Sequence, residues 1–227
     1  MCVYGDRRNP SSPEWQEVVK RIIALALNLE VEVGGYVLKG VNKELPNADT
    51  TLVPLLKSNA ADESRHFRGF KFAADQYGTL GDASGLSECW EAQTNCQHPI
   101  AIAGILEAGV FLVSLGILRG FGGAALTKLS MAIAEDEYRH VCTNYAVAKG
   151  LRAWNPNANL ALVDITLEWV MGGFKGEGVW NLDNMRRWSR ELLHDQDSPE
   201  FDGLTWYTTH TPPFEVANSH LYTTRET

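Results

Sequence analysis

Asp62-Glu63-Ser64-Arg65-His66 and Asp136-Glu137-Tyr138-Arg139-His140 are two copies of one pattern, D-E-x-R-H. At ordinary residue frequencies one such match is expected on the order of once per 10⁵ positions. Two in a chain of 227 residues are not a coincidence. Glu and His three positions apart share one face of a helix, and in both copies that face is apolar. Around Glu63 and His66 it carries Leu56, Ala60, Phe67, Phe70 and Ala73. Around Glu137 and His140 it carries Ile133, Ala134, Val141 and Ala148. Two Glu-x-x-His pairs directed at a core need a positive partner there, because a buried carboxylate is costly alone. No lysine or arginine lies on those faces, so a metal ion is the natural partner.

The surrounding sequence is helical in its hydrophobic period nearly everywhere. A first helix is expected after the cap Ser11-Ser12-Pro13, running to Lys39 or Val41. Pro46-Asn47-Ala48-Asp49 reads as a turn before a second helix, Thr51 to Gln76. Gly78, Gly81 and Gly85 mark the next break, and a shorter helix covers Leu86 to Thr94. Gln97-His98-Pro99 restarts the chain into an apolar helix ending near Gly120. Gly122-Gly123 turns it into a fourth long helix, Ala124 to Lys149. Four long helices with short connections predict an all-α fold built as a four-helix bundle. Beyond Asn155 two weaker helical stretches follow, Ala161–Met171 and Asn181–Leu193, and five of the seven tryptophans lie beyond residue 150. An extended tail, Thr205 to Thr227, closes the chain. The expectation is one domain over 1–227, with a metal-binding bundle at 14–150 and a C-terminal appendage at 151–227.

A dinuclear site inside such a bundle takes two Glu-x-x-His pairs and one glutamate from each remaining helix. Glu107 is the candidate from the third helix, set among Ile100, Ala103, Gly104, Val110, Phe111 and Ser114. The first helix offers Glu30 and Glu32. Glu30 is preferred, because Ile23, Ala26, Leu27, Val33, Gly34 and Val37 surround it, whereas Glu32 has Asn28, Tyr36 and Lys39. The metal ligands expected are therefore Glu30, Glu63, His66, Glu107, Glu137 and His140. Asp62 and Asp136 read equally as helix-surface acids or as groups that hold the free ring N–H of the histidine on the opposite helix. Arg65 and Arg139 are expected to back the site from outside.

Pro99 to Leu118, PIAIAGILEAGVFLVSLGIL, is long enough to span a bilayer. Its one ionisable residue, Glu107, falls near the middle, where a charge is costly. A helix apolar on all sides is also what the centre of a large bundle requires, and a core helix is the expectation, with no membrane partner. The polar N-terminus resembles no signal peptide. The net charge of −8 argues against a nucleic-acid partner, and a cytoplasmic location is expected. None of Cys2, Cys89, Cys96 and Cys142 forms a C-x-x-C pair, and free buried thiols are expected.

The order E, D-E-x-R-H, E, D-E-x-R-H over residues 14–150 resembles the ferritin-like dinuclear metal carboxylate superfamily. The second motif and its continuation Val141-Cys142-Thr143-Asn144-Tyr145 are similar to a helix of bacterial multicomponent monooxygenase hydroxylases. The length is closer to the cyanobacterial aldehyde-deformylating oxygenases. The resemblance implies two iron ions, or two manganese, or one of each, bridged by Glu63 and Glu137 acting as the catalytic carboxylates. It implies dioxygen as co-substrate, a small-molecule substrate and an external electron donor. A lining near Phe67, Phe70, Val110 and Phe111 suggests an apolar substrate. In ribonucleotide reductase small subunits a radical tyrosine follows the first ligand histidine by four residues, and here Phe70 stands there. That radical generator is the second reading, and a ferroxidase or iron-handling protein the third. A homodimer is compatible with the sequence.

Overall fold

The computed structural model describes residues 12–44 and 52–194. Cys2, the 46–49 turn, Thr51 as a helix start and the tail from Thr205 lie outside the described residues. Seven α-helices account for most of the described chain, and the class is all-α as expected. They are α1 (Pro13–Glu44), α2 (Leu52–Tyr77), α3 (Ser84–Gln93), α4 (Pro99–Phe121), α5 (Gly123–Gly150), α6 (Leu160–Met171) and α7 (Leu182–His194). A short 3₁₀ turn, Pro156–Asn159, precedes α6. Two two-residue strands, β1 (Gly176–Glu177) and β2 (Trp180–Asn181), pair antiparallel before α7.

Helix α1 starts where the cap predicts. Trp15 N donates to Ser12 Oγ at 3.4 Å, and Pro13 is the first helical residue. It continues past Val41 to Glu44, because Gly40 does not end it. Gly40 instead lies beneath α4, where an added Cβ would sit 2.6 Å from Ile100 Cγ1. The start of α4 is capped by His98, whose Nδ1 accepts from Ile100 N at 3.3 Å, with Pro99 in the first turn.

Four long helices close a ring around one interior: α1 packs on α2, α2 on α5, α5 on α4 and α4 on α1. The most apolar window of α4 is entirely enclosed by protein. Its side chains meet other apolar side chains on every face, which is the arrangement of a core helix. The ring's core runs from Trp15, Ile23 and Leu29 through Leu56, Phe70, Ile102 and Leu106 to Ile117. Burying a large apolar side chain contributes about 1.5–3 kcal/mol, so this core supplies the main force that holds the helices together.

The sequence does not announce one feature of α4. Between Pro99–Leu106 and Leu112–Phe121 the helix widens into a π turn over Glu107–Phe111. Such a turn inserts one extra residue, which normally shows as a slip in hydrophobic period. Here nearly every position around Glu107 is apolar, so there is no period to slip.

The C-terminal segment packs back on the ring. Helix α6 lies against α1, and α7 lies against the π turn. Trp15 stacks on Phe121 with centroids 3.9 Å apart, and Phe174 meets Trp15 edge-on at 4.9 Å. Trp180 meets Phe121 edge-on at 5.4 Å. Trp180 and Trp188, which meet edge-on at 5.9 Å, are thus packing residues. Cys89 and Cys96 are free as expected but exposed, on the outward face of α3 and the turn after it. Cys142 is half-buried.

Candidate metal centre

The four helices of the ring bring Glu30, Glu63, His66, Glu107, Glu137 and His140 into one buried cluster. None of the six is more than 4% exposed. Two overlapping quartets emerge: Glu30, Glu63, His66 and Glu137, and Glu63, Glu107, Glu137 and His140. Within each quartet one ligand atom per residue lies within 4.8 Å of all the others. Glu63 and Glu137 belong to both.

Glu63 presents Oε2 to His66 Nδ1 at 3.1 Å and Oε1 to His140 Nδ1 at 2.8 Å. Glu137 does the same, with Oε1 3.3 Å from His66 Nδ1 and Oε2 3.5 Å from His140 Nδ1. Each of these carboxylates therefore reaches both halves. Glu30 Oε2 lies 3.3 Å from His66 Nδ1, and Glu107 Oε1 lies 3.8 Å from His140 Nδ1, so each reaches one half. Glu32, the alternative to Glu30, is half-buried outside the cluster and accepts a hydrogen bond from Tyr36 Oη at 3.0 Å.

The outward ring nitrogens are held crosswise. His66 Nε2 lies 3.2 Å from Asp136 Oδ2, and His140 Nε2 lies 3.3 Å from Asp62 Oδ2. With the other nitrogen tied to an aspartate, each Nδ1 is turned toward the glutamates, which is how a ligating histidine is oriented. The crossing also shows that α2 and α5 run antiparallel, with Asp62 beside His140 and His66 beside Asp136. Arg65 pairs with Asp62 and reaches Asp136 at 3.9 Å, while Arg139 pairs with Asp136. Both arginines remain largely exposed, so they neutralise the aspartates from the solvent side.

Electrostatics show how the cluster holds its charge without a metal. Burial pushes the Glu30 carboxyl well above the usual carboxylate range. Burial, then the nearby Glu137 carboxylate, does the same to Glu107. Burial also disfavours charge on Glu63, but hydrogen bonds with His140 and His66 overcome it and bring that group down to about 2. Burial opposes the charged form of His140, yet Glu137 and Glu63 raise it to about 12. His66 is raised further still, by Glu137, Glu30 and Glu63 against its own burial. Protons therefore stand in for cations here.

A metal fits better than protons. Glu30 Oε2, Glu63 Oε1, Glu107 Oε1, both Glu137 carboxylate oxygens and His140 Nδ1 have no well-directed hydrogen bond, though all are buried. Buried polar atoms without partners are rare in native proteins. These six, drawn from five of the six residues, all border the same interior. Four oxygen ligand groups and two imidazoles form a set suited to iron or manganese.

Asn144 is a residue the motif reading did not single out. It is fully buried, and its Nδ2 donates to Glu107 Oε2 at 2.8 Å. Its signal is spacing, since it lies four positions after His140 and seven after Glu137 on the same face. Of the expected apolar lining, Phe70, Val110 and Phe111 are buried, whereas Phe67 is only half-buried. Gly34 lets α1 approach the site closely: a Cβ there would lie 3.1 Å from Ala60 O and 3.3 Å from Glu63 Cβ and Cγ.

No protein-family model matches the chain, and no curated protein matches it either. The likeness to ferritin-like proteins thus rests on the repeated motif and on this buried cluster, which is compatible with such a fold.

Proposed function

We propose that this protein is a dinuclear metal oxidoreductase of the ferritin-like kind, using iron, manganese or one of each to activate dioxygen. The observation that supports it is the pair of quartets sharing Glu63 and Glu137, which gives two adjacent places for a cation. Glu30 and His66 would complete one position, and Glu107 and His140 the other. Two such ions, when bound, supply the one-electron redox steps by which dioxygen is reduced.

The chain's own residues do the rest. Four carboxylates balance two divalent ions, so the buried site stays neutral overall, as burial demands. Asp62 and Asp136 fix the imidazole rings, and Arg65 and Arg139 pair with those aspartates from the solvent side. The apolar shell of Phe70, Val110 and Phe111 excludes water and favours an apolar substrate beside the centre. An external electron donor completes the turnover. Phe70 in place of a tyrosine weighs against the radical-generator reading.

The test is metal content by plasma mass spectrometry, on wild type beside Glu137→Ala, followed by oxygen uptake after reduction. Close to two iron or manganese ions per chain, lost in the variant, with oxygen consumed and no bulk iron mineral formed, is the expected result. A chain that takes up no transition metal after anaerobic reconstitution would sink the proposal. Iron mineralisation far beyond two ions per chain would replace it with iron handling.

A further inference from the structure

The repeated motif relates the two halves of the centre, and the repeat fails at one interior position just beyond the histidines. Four residues after His66 stands Phe70; four residues after His140 stands Asn144. Both are buried, each one turn beyond its histidine. Asn144 Nδ2 donates to Glu107 Oε2 at 2.8 Å. A phenyl ring has no such donor to offer Glu30. The helices differ in the same sense: Glu107 opens the π turn of α4, whereas Glu30 lies within the unbroken α-helix α1.

These differences prepare the two outer glutamates unequally. Asn144 holds one oxygen of Glu107 and leaves Oε1 without a hydrogen bond, 3.8 Å from His140 Nδ1. Glu30 is held only by its fellow ligands: it shares a hydrogen bond with Glu63, and its Oε2 is drawn to within 3.3 Å of His66 Nδ1, the atom that a cation would need. A cation entering the Glu107–His140 half meets a carboxylate already oriented. In both halves the cation must part Glu63 from an imidazole, but in the other half it must separate Glu30 from His66 as well.

We propose that the two positions fill in sequence, the Glu107–His140 position first, and that Asn144 is the positioning residue that sets the order. This rests on the dinuclear reading above. Hydrogen-bonded groups behind a ligand typically change metal affinity by roughly 10- to 100-fold, and a gap of that size between the two steps is the expectation.

The experiment is an anaerobic titration of metal-free protein with cobalt(II), counting zero-, one- and two-metal species by native mass spectrometry. At one equivalent, wild type should be mainly the one-metal species. Glu30→Gln should remove the second step and leave the first. Asn144→Leu, which keeps the branched outline and loses the donor, should weaken the first step by about 10- to 100-fold and bring the two together. A statistical mixture in wild type at one equivalent overturns the proposal while leaving the dinuclear reading intact. So does loss of the first step in Glu30→Gln, or an unchanged first step in Asn144→Leu. Should Asn144→Leu not fold, wild type and Glu30→Gln decide the matter. No cobalt bound at all would overturn the dinuclear reading itself, and this proposal with it.

Discussion

Replacing Glu107 by glutamine should stabilise the metal-free protein while weakening its hold on metal. Glu107 is fully buried, and burial beside Glu137 keeps its carboxyl protonated well above the usual range. The unfolded chain, by contrast, ionises it near 4.5. Folding at pH 7 must therefore put a proton back. At 1.36 kcal/mol per pH unit, the gap from 4.5 to 7 limits that cost to about 3 kcal/mol. Glutamine is neutral in both states and escapes it. It also keeps an oxygen to accept from Asn144 Nδ2, so the local hydrogen bond survives. For a chain of this length, 1 kcal/mol moves Tm by about 2–4 °C, so Glu107→Gln should melt up to about 10 °C higher at pH 7. A carboxyl raised by folding costs nothing below its unfolded value, and the cost grows as pH rises above it. The gain must then vanish below pH 4.5. The assay is thermal unfolding by circular dichroism, with chelated protein, from pH 4 to pH 8. A variant less stable than wild type at pH 7, or a difference that ignores pH, would refute the reasoning. With metal present the order should reverse, because the loaded site loses an anionic ligand.

Three further outcomes follow from the same geometry. Metal binding should release as many as four protons per pair of ions, from Glu30, Glu107, His66 and His140. Apparent affinity should therefore climb with pH from 5 to 9, and calorimetry in buffers of different ionisation heat would count the protons. Over that range metal-free stability should fall. The raised carboxyls cost more above 4.5, and the imidazolium contribution of His140 begins to fade above 6.5 on the way to about 12. Below 4.5 it should fall as well, as the contribution of Glu63 is lost toward about 2. Gly34→Ala should push Glu63 by a few tenths of an ångström, at a cost of about 1–3 kcal/mol from overpacking, and chemical denaturation would read that cost beside any loss of metal. Asp136→Asn should cut metal affinity about 10- to 100-fold by freeing the His66 ring, and competition with a chelator would measure it.

Much of the centre could be read in advance because its parts obey helical spacing. The repeat placed Glu63, His66, Glu137 and His140 on inward faces, and apolar neighbours separated Glu30 from Glu32. The crossing of Asp62 and Asp136 to opposite histidines followed from the antiparallel pairing of their helices. The π turn at Glu107 was hidden, because a helix apolar on all sides of that residue gives an inserted position no period to disrupt. Asn144 lay in plain sight but outside the motif, and only its hydrogen bond to Glu107 gives it a role. Helix α1 runs on from the expected end at Lys39 or Val41 to Glu44, and the missing side chain of Gly40 makes room for Ile100 without stopping the helix. The exposure of Cys89 and Cys96 was missed because α3 is short and buries mainly Ser87 and Trp90.

The crossed histidine–aspartate contacts have a consequence for how the chain assembles. They join residues 70 and 78 positions apart in sequence. Each can form only after the segment between them has been closed into a loop, and such contacts come at a high entropic cost early in folding. Neither quartet exists in one helical hairpin alone, since each draws on α2 and α5 together. The site is thus a late product of folding, complete only when the two hairpins have docked. Interactions made after the transition state slow unfolding more than they speed folding. Ions held by these residues would then act as a latch, lengthening the life of the native state without hastening its arrival.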